Sequence, residues 1–138
     1  MRRALPLLLL AATACRRLQP GYGPGVTVKP WLQTATTADG SPIVYPTGAG
    51  EVTLAEVTIA PGAETGWHRH PVPVFAFVLE GTLEVQQEGG RTNTYAAGQG
   101  FAEALNVRHN GRNRGTTPVR LRVVYCGVKG EPITVKAP

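Results

Sequence analysis

The sequence predicts an all-β sandwich or barrel, and three observations carry that reading. Gly (17) and Pro (12) make up about a fifth of the 138 residues, against a usual combined share of about 12%. The surplus has no Gly-X-Y period, which excludes collagen, and it separates short apolar runs of strand length. No amphipathic helical pattern lies between those runs, so a helical bundle is excluded. With 42% apolar and 17% charged residues the chain is a folding sequence rather than a solvated tail. Its length suits one domain.

The N-terminus reads as a targeting segment. Met1-Arg2-Arg3 precedes an apolar stretch from Ala4 to Ala14, shorter than the roughly 20 residues a membrane-spanning helix needs. Ala12-Thr13-Ala14 fits an A-x-A cleavage site. Cys15 follows at once, so the segment also resembles a lipoprotein signal, with Ala12 where such signals most often carry Leu. We therefore expect a signal peptide over 1–14, a Gly/Pro-rich tether over 15–30 and a barrel over 31–138. Export to a periplasmic or extracellular location follows, with membrane contact only through a lipid on Cys15.

The body divides into strands in order. Glu51 to Ile59 alternates apolar and polar residues and ends at Pro61-Gly62. Val74 to Leu79 is an unbroken apolar run, as expected of a strand covered on both faces. Glu80-Gly81 turns the chain, and Thr82 to Glu88 alternates again. Gly89-Gly90 is a hairpin connection to Arg91 to Tyr95. Phe101 to His109 gives another extended segment, in which a turn near Asn106 would reset the alternation. In Pro118 to Gly127, Val119, Leu121, Val123 and Tyr125 share one face. Pro132 to Lys136 adds a short edge.

Fourteen Lys and Arg against nine acidic residues give a net charge of +5. Arg2 and Arg3 belong to the targeting segment, and without them the balance is +3. No basic run is interleaved with aromatics, so nucleic acid is excluded as a partner. With Cys15 beside the cleavage site, Cys126 has no evident disulfide partner and reads as a buried thiol.

The three histidines fall in two short segments. In a strand, His68 and His70 point to the same face. With His109 they form a set of neutral imidazoles suited to Fe, Mn, Ni, Cu or Zn, leaving coordination positions open.

These residues resemble the cupin superfamily. Its first motif is a Gly, five residues, His-x-His, a gap, Glu, six residues and Gly; Gly62, His68, His70 and Gly81 match that spacing. Gly98, His109 and Asn113 match the second motif. The resemblance runs from about Glu51 to Gly127. It implies a double-stranded β-helix, a jelly-roll barrel with one divalent transition metal inside, acting on or binding a small molecule. Small cupins also commonly form homodimers.

The departures are specific. The first motif's Glu falls at Val74, which cannot bind metal, and the Pro before Gly98 is Ala96. Glu103, among apolar or small neighbours, is the candidate replacement, as in a subset of small bacterial cupins that carry Glu there. The metal set is then His68, His70, His109 and Glu103, with Glu103 as ligand or catalytic general base; an outward-facing Glu103 is the alternative. Trp67, Phe75 and Phe77 are expected in the core, with a pocket wall as their second role. Asn113 is expected in a structural turn, Arg69 at the surface, and Arg108 at the surface with an anionic substrate as its alternative partner. The functions left open are a metal-dependent oxygenase, isomerase or decarboxylase, a ligand-binding module without catalysis, and a structural barrel.

Overall fold

Alternation in the sequence becomes two antiparallel sheets in a computed structural model that describes residues 21–137. Nine strands and no helix occur among the described residues: β1 (Gly50–Ile59), β2 (His68–Arg69), β3 (Val74–Glu80), β4 (Thr82–Gln87), β5 (Thr92–Ala96), β6 (Gly100–Ala102), β7 (His109–Arg112), β8 (Val119–Val128) and β9 (Val135–Lys136). One sheet has the order β1-β8-β3-β6 and the other β5-β4-β7-β2-β9. The architecture is the expected jelly-roll barrel. The targeting segment, Cys15 and the first part of the tether lie outside the described residues. Residues 21–30 are exposed and outside any strand.

The period-2 pattern decides what enters the barrel. Val74, Ala76 and Val78 of β3, Val119, Leu121 and Val123 of β8, and Leu83 and Val85 of β4 are buried in one core cluster. Asn113 is buried at a turn. Its amide nitrogen donates to the carbonyls of Ile59 (2.9 Å) and Thr117 (2.8 Å), and its Oδ1 accepts from the Gly115 amide. It is structural, as expected.

Two expectations about the apolar runs need correction. Phe75 and Phe77 are not core residues. They alternate with the buried valines and face outward, where Phe77 stacks on Trp31 (centroids 4.5 Å apart) and Phe75 lies near Tyr45. An outer groove of about 590 Å³ runs past them, lined also by Leu54, Leu79 and Val124. The inner face is already filled by residues of the opposite parity, so one strand cannot also send its phenylalanines inside.

The segment Phe101 to His109 is likewise not one strand. It leaves the first sheet after Ala102, turns at Asn106 and enters the second sheet at His109. Asn106 has φ 59°, a left-handed conformation that Asn tolerates better than most residues.

Candidate metal centre

Register brings the two histidine segments together. His68 on β2 pairs directly with His109 on β7, and directly paired residues project from the same face. His70 lies just past β2 and bridges to Leu105. The loop before β2 is clamped to β7: the Thr65 hydroxyl accepts from the Gly111 amide (2.9 Å), and Asn110 donates to Glu64 (3.0 Å). The imidazole centroids of His68, His70 and His109 are 4.4–5.1 Å apart.

Glu103 arrives from the other sheet. Its amide donates to the Val74 carbonyl at 2.9 Å, extending the β3–β6 ladder by one residue beyond the Phe75–Ala102 pair. Its side chain turns inward, not to the surface: Oε2 is 2.8 Å from Nε2 of His109 and 3.2 Å from Nε2 of His70. One ligand-type atom from each of His68, His70, Glu103 and His109 lies within 4.8 Å of the others. Opposite ligands of one ion, with bonds of about 2.0–2.1 Å, are roughly 4 Å apart.

All three rings are oriented alike from behind. Nδ1 of His68 donates to the Gly66 carbonyl (2.8 Å), that of His70 to Ile133 (2.8 Å), and that of His109 to Val107 (2.9 Å). A carbonyl can only accept, so each Nδ1 carries a proton, and Nε2, once deprotonated, is the atom each ring offers inward. Nε2 of His109 and Oε2 of Glu103 are buried and form no regular hydrogen bond, although they lie 2.8 Å apart. Buried polar atoms left this way are costly unless something else binds them. The residues fit a divalent cation.

The electrostatics agree. Burial would push the Glu103 carboxyl up, but the close contacts with His109 and then His70 outweigh it and hold the group at about 2. Burial likewise opposes charge on His109, and Glu103 overcomes it and raises that pKa. Burial lowers the His68 pKa.

A cavity of about 60 Å³ adjoins the four side chains, walled by Val57, Ile59, Leu83, Leu121 and Val123. It shares Thr65, His68, His70 and Tyr125 with a more open vestibule of about 300 Å³.

A cupin domain model matches residues 55–125. This chain belongs to the cupin family. Within 76 aligned residues this cupin is 40% identical to beta-alanine degradation protein BauB of Pseudomonas aeruginosa, covering 51% of the chain and 80% of that relative. It is 32% identical over 94 residues to oryzines biosynthesis cluster protein J of Aspergillus oryzae, covering 68% of this cupin but only 50% of the fungal protein. Among solved structures, an oxalate oxidase superposes with a TM-score of 0.54 at 26% identity, covering 63% of this chain and 46% of that one. This cupin thus spans about half the length of the fungal relative and of the oxidase.

The structure gathers all four candidate residues. Trp67 lines the vestibule, the second of the two roles expected for it, rather than the core. Arg69 is exposed and donates to Asn106 Oδ1, while Arg108 is half-buried beside Glu88. Cys126 is half-buried and free of disulfides, and burial raises its pKa. Sequence reasoning missed Thr65, Lys136 and the Ile133 carbonyl. Only Tyr125 left a trace, in the alternation that places it on the face of Leu121 and Val123.

Proposed function

We propose that this cupin is an exported metalloprotein in which His68, His70, His109 and Glu103 hold one divalent transition metal and act on a small organic molecule. The observation that carries it is the convergence of four ligand-type atoms, with each imidazole fixed by a backbone carbonyl behind it. A bound ion supplies Lewis acidity and an open coordination position. The similarity to an oxalate oxidase and to a degradation protein supports chemistry on a small molecule.

Each residue has a defined task. His68, His70 and His109 present Nε2, and the carbonyls behind them resist rotation of the rings. Glu103 serves as ligand, because its carboxylate oxygen and one nitrogen from each of the three imidazoles lie within 4.8 Å of one another. The apolar walls exclude bulk water and strengthen charge interactions inside. Tyr125, whose ring lies 5.5 Å from that of His70, lines both the inner cavity and the vestibule.

Metal analysis of untagged protein tests the proposal. One ion per chain is expected, with His109→Ala releasing it. A wild-type protein that holds no metal and keeps its thermal stability in chelator would falsify it. Oxygen uptake by loaded protein across catechols, flavonols and β-diketones then separates an oxygenase from a binding module.

A further inference from the structure

The vestibule outside the four side chains holds a cation that the metal reading does not use. Lys136 on β9 pairs directly with His68, which pairs on its other side with His109. Lys136, His68 and His109 therefore form one cross-strand row, and their side chains leave the sheet on the same face. Lys136 lines the vestibule together with Trp67, Tyr125 and Thr134. It is exposed and makes no ion pair among the described residues. The segment that carries it is held in place, because Ala137 donates to the Trp67 carbonyl (3.0 Å) and Ile133 accepts from His70.

Charge balance points the same way. Among the residues lining the two cavities, Glu103 is the only acid. A divalent ion with one carboxylate and three neutral imidazoles leaves one positive charge uncompensated in an apolar enclosure, where an unpaired charge is costly. Lys136 adds a second at the mouth. An inner space of about 60 Å³ admits only a few heavy atoms, so the rest of a ligand lies in the vestibule.

We infer that the ligand is a small carboxylate, its carboxylate group paired with Nζ of Lys136 and its other end directed between His68 and Tyr125 toward the four metal-ligating side chains. This rests on the metal proposal for its charge balance and on the β2–β9 register for its anchor.

The test uses full-length protein with Trp31→Phe, so that quenching reports Trp67 beside the site. Metal content is measured first. Metal-loaded and metal-free protein are then titrated with propionate and with propionamide, which has the same shape and no charge. Propionate is expected to bind at least ten-fold more tightly to the loaded protein. Lys136→Met should remove most of that preference, leaving only what the bound ion itself attracts, and Lys136→Arg should retain most of it. Equal binding of acid and amide, or a preference that Lys136→Met leaves unchanged, overturns the inference. A protein that takes up no metal but keeps a Lys136-dependent preference would retire the metal proposal and leave the anchor standing. A loaded protein without the preference retires the anchor alone.

Discussion

The amide of Glu103 donates to the carbonyl of Val74 at 2.9 Å, so the two residues are cross-strand neighbours in one sheet. Val74 stands where the family's first motif carries its Glu, and it is almost completely buried, with 1% of its surface exposed. The carboxylate has thus moved one strand across, from β3 to the end of β6, and its Oε2 still reaches His109.

Glu103→Gln removes the charge while keeping the shape. Loss of a supporting residue behind a ligand typically costs 10–100-fold in metal affinity, and a ligand itself should cost more, at least about 100-fold here. Returning the carboxylate by Val74→Glu in a Glu103→Ala background should recover part of it. Metal competition titrations measure both; unchanged affinity in Glu103→Gln would remove Glu103 from the site.

The pH dependence has two edges. In metal-free protein the Glu103 carboxyl lies at about 2 against an ordinary 4.5, so its contribution to stability is full above about pH 4.5 and is lost as pH falls toward 2. His109 is raised above 6.5, so its contribution is present below that value and is lost as pH rises through the raised pKa. Metal must displace the His109 proton, so affinity climbs with pH. The Tm difference between loaded and metal-free protein should widen from about pH 5.5 to about pH 8. Scanning calorimetry that finds a constant difference would contradict this.

The two motif glycines should respond unequally to alanine. Gly62 has φ 74° and open space around an added Cβ, so Gly62→Ala meets only the left-handed backbone cost of about 1–2 kcal/mol. Gly81 has φ 76°, and its Cβ would meet the Pro118 carbonyl oxygen at 2.7 Å. Gly81→Ala should cost a further 1–3 kcal/mol or so. Urea unfolding of both variants checks the order, and equal losses would count against the close approach.

Removing residues 132–138 deletes the Ile133 carbonyl and the Thr134 hydroxyl (3.2 Å) that hold Nδ1 of His70. Metal affinity should fall about 10–100-fold as that ring loses its orientation. The β1–β8–β3 core remains, so near-native far-UV circular dichroism is expected alongside. Full affinity after truncation would show that His70 needs no such support.

How much was legible follows from which interactions are local. Strand alternation and Gly/Pro punctuation act over a few residues, so β1, β3, β4, β5 and β8 could be placed to within a few positions. The same pattern could not say which face of β3 is inside, because Val and Phe are both apolar. The choice fell to the valines through packing against β8 and β4. In Phe101 to His109 a turn near Asn106 was the alternative to one strand, and only the folded chain decides it, through the left-handed backbone of that residue.

By itself, then, the sequence determined the all-β class, the turns and the candidate ligand set, because residue type and short-range spacing decide those. Tertiary structure alone decided that Glu103 faces His109 rather than solvent, that the C-terminal segment holds His70, and that Lys136 stands beside His68. Those relationships join residues more than sixty positions apart (His70–Ile133, for one) or on different sheets. Cross-strand register sets them, and register is a property of the folded pair of strands rather than of either strand alone.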